Sequence, residues 1–156
     1  MTYYDKISEG YEKLYSEEQI KKLKIISEHF KPKELMLDLG AGTCICAKYF
    51  KIKTASVDNS AEMLKKGIGK RVKSKAESLP FKDKSFSSVI SLTAFHHFDA
   101  DKTIKEIKRV VNDNSPIAIS LLKKTKNFKL LKKKLLKEFN VKKYDCVNDI
   151  AFIGKT

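Results

Sequence analysis

An eight-residue stretch, Leu35-Met36-Leu37-Asp38-Leu39-Gly40-Ala41-Gly42, leaves few folds open to this chain. The apolar run is short and reads as a strand buried on both faces, as in a parallel sheet. It ends in an acid and then in two glycines one residue apart, a turn where backbone approaches something closely. Residues 44–50 can form the helix that opens after such a turn. Strand, glycine turn and helix make a cofactor cradle at the carboxyl end of a sheet strand.

The dinucleotide fingerprint needs a third glycine for tight helix packing, and Ile45 stands at that position. A Walker-type phosphate loop fails as well, because no Gly-Lys-Ser/Thr follows. Gly-x-Gly alone favours an ordinary strand end with no ligand, so the downstream segments decide. A second short strand over 53–57 ends in Asp58-Asn59. Asp58 lies about twenty residues past the first turn, where nucleotide-binding sheets place an acid for ribose hydroxyls. A solvated turn residue is the other reading. Ser60 reads as the N-cap of the next helix. Further on, Ala76-Glu77-Ser78-Leu79-Pro80-Phe81 makes a corner that leads through a polar turn into another buried strand.

Helical spacing predicts helices over 3–15 and 17–30, the second with Ile20, Leu23, Ile26 and Phe30 on one face. Strands are predicted over 35–39, 53–57, 71–74, 86–92, 116–122, 140–147 and 149–154, with helices over 44–50, 60–68, 100–111 and 126–138. Alternation of strands and helices means an α/β fold with a mostly parallel sheet and helices on both faces. The last two strands are separated by a short turn at Val147-Asn148-Asp149 and can therefore form an antiparallel hairpin at the sheet edge.

Taken together, these segments resemble the class I S-adenosylmethionine-dependent methyltransferases. The branch they are most similar to holds the ubiquinone/menaquinone C-methyltransferases and the small tRNA wobble-uridine methyltransferases. The resemblance runs from about Tyr4 to the C-terminus and implies a Rossmann-like, seven-stranded sheet with S-adenosylmethionine as cofactor. It implies that Asp38, Gly40, Ala41 and Gly42 face the methionine portion, and that Asp58, with Asn59 beside it, holds the ribose hydroxyls. Ala76 and Glu77 would lie along the adenine edge, with Leu79 and Phe81 packed beside it. Tyr4 and Tyr11 either cover the cofactor or pack as aromatics of an amphipathic helix. The chain departs from the family at four places. Cys44 replaces a frequent third glycine, and Lys75 replaces an acid before the adenine-side alanine. Phe86-Ser87-Ser88-Val89 stands for Phe-Asp-x-Val, and Asn112-Asp113-Asn114-Ser115 for a Pro-Gly-Gly turn.

The methyl acceptor should meet the end of the fourth strand, Ser91 to Phe98. The Asn/Asp-Pro-Pro-Tyr of amine-modifying enzymes is absent there, and so is the cysteine that cytosine-C5 enzymes need. His96 and His97 remain. One can orient or deprotonate an acceptor near neutral pH; the alternative is that one packs in the core and the other caps the helix starting near Ala100. Asp99 is the better N-cap for that helix.

At 156 residues, 42% of them hydrophobic, one domain is expected over 1–156, with a helical cap over 1–31 and the α/β core over 32–156. These elements use nearly the whole length and leave no insertion for a substrate lid. No run long enough to span a membrane exists, and the first residues lack a secretory pattern. Three cysteines without zinc-like spacing point to a reduced cytoplasmic setting and to burial as small hydrophobes, with no metal site.

The net charge of +14 is concentrated late: ten lysines and one acid, Glu138, lie between Lys123 and Lys143. Such a block is a footprint for polyanions or a solvated helix face, and the scarcity of arginine argues against base-specific readout. The expected function is methyl transfer to RNA, tRNA above all, or to a small molecule. The competing expectation is a methyltransferase fold without catalysis that binds RNA or a protein partner, favoured by Cys44 and Lys75. A small activator protein is compatible with either, because some relatives of this size work with one.

Overall fold

The computed structural model describes residues 3–156, with side chains at residue 10 and from residue 12 onward. Helix α1 (Tyr3–Ser27) leads into β1 (Met36–Leu39), α2 (Ile45–Phe50), β2 (Thr54–Asp58), α3 (Ala61–Lys65) and β3 (Lys70–Lys73). After β4 (Ser88–Ser91) comes a single 3₁₀ turn at Phe95–His97. Then follow α4 (Ala100–Val110), β5 (Pro116–Leu122), α5 (Phe128–Glu138), β6 (Asn140–Cys146) and β7 (Asp149–Lys155).

The seven strands form one sheet in the order β3-β2-β1-β4-β5-β7-β6. Strands β1 to β5 pair in parallel, with Met36 opposite both Thr54 and Ser88. Strand β7 runs antiparallel to β5 and to β6, closing the sheet with the expected hairpin. Central strands β1 and β4 are buried at all four positions. Their side chains alternate between two cores, as the pleat requires. Leu37, Leu39 and Val89 face Ile104 and Ile107 of α4 and Leu131 and Leu135 of α5. Met36, Ile90 and Ala118 face Leu23 and Ile26 of α1 and Cys46 of α2.

The N-terminal region differs from the sequence expectation. One 25-residue helix replaces two, so the helix runs straight through Ser16. Its buried stripe is Gln19, Lys22, Leu23 and Ile26 at helical spacing, while Ile20 is 38% exposed. Strand β4 starts at Ser88 rather than 86, because Phe86 makes only an isolated bridge to Val111. Helix α3 ends at Lys65, short of the expected 68. Both expected caps are present: Ser60 accepts from the Met63 N–H and Asp99 from the Lys102 N–H. The turn that replaces Pro-Gly-Gly is closed by Asn114 in the left-handed region, a conformation asparagine tolerates. Among the described residues no helix is long and apolar enough to cross a membrane.

Candidate functional site

The glycine turn after β1 is held from beneath by β2. The Gly40 and Ala41 N–H groups both donate to the Val57 carbonyl at 2.9 Å. Gly40 has φ +74°, and a Cβ there would meet Ala94 Cβ at 2.4 Å. Glycine is therefore required on two counts, conformation and the close approach of the segment after β4. Gly42, at φ +55°, has only Met63 Cε at 3.5 Å from where a Cβ would stand. The frequent third glycine is replaced by Cys44, yet its backbone still takes φ 64°. The left-handed conformation survives without glycine because the side chain is fully buried against Gly67, where an added Cβ would sit 2.3 Å from Cys44 Sγ.

Two cavities meet over this turn and share Tyr15, Gly40, Gly42 and Met63 as walls. The first, about 590 Å³, lies between α1 and α2 and is lined by Gln19, Asp38, Ala41, Cys46 and Leu92, among others. The second, about 450 Å³, reaches outward past Asp58, Asn59, Ala76 and Glu77 to Thr93 and His97. Asp58 is fixed by two backbone donors: Gly42 N–H to Oδ2 at 2.8 Å and Ser60 N–H to Oδ1 at 2.9 Å. Each carboxylate oxygen keeps a lone pair for a ligand hydroxyl. Asp38 is 1% exposed, and neither of its oxygens has a hydrogen-bond partner among the described residues. Burial pushes its pKa from 3.8 up to about 7, against a pull downward from the Cys46 thiol and with a further push from the charge of Asp58. The same burial, with Asp38 alongside, raises the Cys46 thiol.

Leu79 lines neither cavity. It belongs to the core, where Arg109 and Glu106 of α4 clamp its backbone. Glu106 accepts from Leu79 N–H at 2.7 Å, and Arg109 donates to the carbonyls of Leu79 and Phe81 at 3.0 and 2.7 Å. This clamp fixes the corner whose upstream part, Ala76-Glu77, forms the cavity wall. The Tyr4 and Tyr11 side chains lie outside the described ones. The two histidines have different surroundings. His97 is exposed and lines the second cavity. His96 points inward, with Nδ1 buried and without a partner among the described residues. Burial, and next to it His97, lowers the His96 pKa, so it is neutral at neutral pH. All three cysteines are free and buried, and no metal-ligand cluster exists among the described residues.

Sequence reasoning missed a buried polar network beside the first cavity. Lys22 Nζ, on a side chain 2% exposed, lies 3.2 Å from Oδ1 of the fully buried Asp149. Thr93 Oγ1 and Ser120 Oγ reach Asp149 Oδ2 at 2.6 and 2.8 Å, and the Thr93 N–H donates to Ser120 Oγ at 2.8 Å. The available signal was Gln19 and Lys22, polar residues on the same helical stripe as Leu23 and Ile26.

A glycine cradle at the carboxyl edge of a parallel sheet, with an acid at the end of the next strand, is a site for an adenosine-bearing cofactor. A family profile described as a methyltransferase domain matches residues 37–119. An uncharacterized protein of Methanocaldococcus jannaschii is 36% identical over 121 residues, which cover 72% of this chain and 47% of that protein. The chain thus spans about half the length of that curated relative. A Thermotoga maritima structure described as a S-adenosylmethionine-dependent methyltransferase, possible histamine N-methyltransferase, superposes with TM-score 0.74 at 17% identity, covering 97% of both chains. A chain of the complex between the Haloferax volcanii Trm112 methyltransferase activator and a methyltransferase gives 0.80 at 14% identity, covering 95% of this chain and 94% of that one.

The chain belongs to the class I S-adenosylmethionine-dependent methyltransferases, and S-adenosylmethionine is the family's cofactor. The residues present fit that ligand. Buried acceptors without donors among the described residues face the first cavity, Asp58 has free lone pairs in the second, and only Met63 stands within contact distance over Gly42.

Proposed function

We propose that this chain transfers methyl groups from S-adenosylmethionine to RNA. The cofactor brings an electrophilic methyl group on its sulfonium, so the protein's task is to bind, align and exclude water. On this reading Asp38, Gly40, Ala41 and Gly42 hold the methionine end. Asp58 and Asn59 hold the ribose, and Ala76 and Glu77 border the adenine. His97, exposed on the cavity wall, orients the acceptor or takes its proton, with neutral His96 behind it. The helical cap over 1–31 closes the cofactor against the 32–156 core.

The observation that carries the RNA reading is the set of lysines without acidic partners from the turn before α5 through β6. Lys123 and Lys134 have acidic partners, Asp145 and Asp101. Lys124, Lys126, Lys129, Lys133, Lys137 and Lys142 have no ion pair among the described residues. Lys132 stands so close to Lys143 that its ammonium loses its proton more readily than usual. Like charges held together disfavour the free surface and favour a polyanion. The test is filter binding of total tRNA from low to moderate salt, with a Lys132→Glu/Lys143→Glu double variant. Steep loss of affinity with salt, and a further loss in the variant, are expected. Salt-insensitive binding, or an unaffected variant, refutes the RNA reading.

A small-molecule acceptor is the second reading, favoured by a second cavity that ends at Thr93, His97 and Phe98. Transfer of label from the cofactor to tRNA or to a metabolite extract separates the two. No binding of S-adenosylhomocysteine at millimolar concentration would instead favour the non-catalytic binding module. Similarity to a chain of the Trm112 complex supports a small activator partner, testable by co-purification with a protein of that type.

A further inference from the structure

The buried network beside the first cavity sets a direction of hydrogen bonding that ends at the cavity wall. Asp149, paired with the Lys22 ammonium at 3.2 Å, can only accept. Thr93 Oγ1 lies 2.6 Å from Asp149 Oδ2, so the single hydroxyl hydrogen of Thr93 points there. What remains on Thr93 Oγ1 is lone pairs. These accept from Lys22 Nζ at 3.1 Å and from Gln19 Nε2 at 3.4 Å. The opposite turn of the Gln19 amide would set Oε1 against those lone pairs. Gln19 Nε2 also donates to the Tyr15 hydroxyl at 3.4 Å, so both contacts of the amide lie on its nitrogen side and Oε1 points the other way.

Gln19 is 1% exposed, and its Oε1 is buried without a donor among the described residues. It lines the same cavity as Asp38, whose two oxygens have no N–H or O–H donor among the described residues and only the Cys46 thiol nearby. A buried acceptor without a donor is costly, and a buried carboxylate more so. Two such groups in one cavity call for a ligand group that carries positive charge and several N–H donors, which is a primary ammonium. Thr93 sits at φ 51°, uncommon for a β-branched residue, at the carboxyl end of β4. Backbone strain of this kind collects at functional sites.

We propose that Gln19 Oε1 accepts a hydrogen from the α-ammonium group of the cofactor's methionine end. Thr93 and Asp149 are positioning residues that fix the amide's orientation, and Lys22 balances the buried charge. The proposal rests on the methyltransferase reading.

Calorimetric titration of the full chain with two probes tests it. S-adenosylhomocysteine carries the ammonium; 5′-methylthioadenosine shares the adenosine and thioether but lacks the amino-acid end. Gln19→Met should weaken the first roughly tenfold and leave the second within about twofold. Thr93→Val, which keeps the branched shape and removes the hydroxyl, should act in the same direction, and Thr93→Ser should restore wild-type affinity. Equal effects of Gln19→Met on both probes, or none on either, overturn the proposal, as does a Thr93→Ser loss as large as that of Thr93→Val. If Gln19→Met does not fold, the Thr93 pair decides: a loss of S-adenosylhomocysteine affinity in Thr93→Val that spares 5′-methylthioadenosine and is restored in Thr93→Ser supports the proposal, and equal effects on both probes overturn it. A wild-type chain that binds neither probe removes the methyltransferase reading itself, and the proposal with it.

Discussion

With Asp38 at the cofactor's methionine end, as proposed, this carboxyl sets stability against cofactor binding. In the free protein burial raises its pKa from 3.8 to about 7. The folded state therefore binds this proton more tightly than the unfolded chain does. The carboxyl's favourable contribution is complete below about pH 4 and is lost as pH rises through about 7. Three pKa units at about 1.4 kcal/mol each set a ceiling of roughly 4 kcal/mol for the cost of ionising Asp38. Asp38→Asn removes the charge and keeps the shape. At pH 8, without cofactor, the variant should melt up to roughly 10 °C above wild type, a gain that shrinks toward pH 4. The same change should weaken S-adenosylhomocysteine at least tenfold, because a charge-assisted hydrogen bond is lost. Wild-type affinity should also fall as pH drops below about 7, and that of the variant should not. The assay is thermal denaturation at several pH values with and without S-adenosylhomocysteine, alongside calorimetry. A variant that melts at or below wild type at pH 8, or that binds the ligand as well as wild type, refutes the reasoning.

Two further changes probe the turn and the network. Gly40→Ala drives a Cβ to within 2.4 Å of Ala94 Cβ at φ +74°, and should cost about 3 kcal/mol in urea unfolding while weakening cofactor binding. An unchanged denaturation midpoint would contradict the close approach. Lys22→Met leaves the fully buried Asp149 uncompensated and should cost about 3–5 kcal/mol, with much of the loss recovered in Lys22→Met/Asp149→Leu. A double variant no more stable than the single one would show that the ion pair is not the source.

Much of the architecture was legible because the signals are local. The buried run of β1 and the glycine spacing specify a strand and a turn within eight residues, and Ser60 and Asp99 mark helix starts by their own side chains. Reading two helices in place of α1 failed because Ser16 is only a weak breaker, and tertiary packing carries a 25-residue helix through it. Leu79 was assigned to the cofactor's neighbourhood by resemblance. Its side chain packs in the core cluster that also holds Ala76, and the Arg109–Glu106 clamp, some thirty residues away, holds its backbone there.

The sequence by itself determined the fold class, the succession of strands and helices along the chain, and the strand and glycine turn at Asp38-Leu39-Gly40-Ala41-Gly42. These follow from periodicity and from conformations that few residues can adopt. Only the tertiary structure decided which polar groups lose their water. It buried Asp38 with no N–H or O–H donor among the described residues, set His96 inward and His97 outward, and joined Lys22 to Asp149 across more than a hundred residues of chain. Desolvation is a property of the assembled surroundings, and no window of sequence contains them.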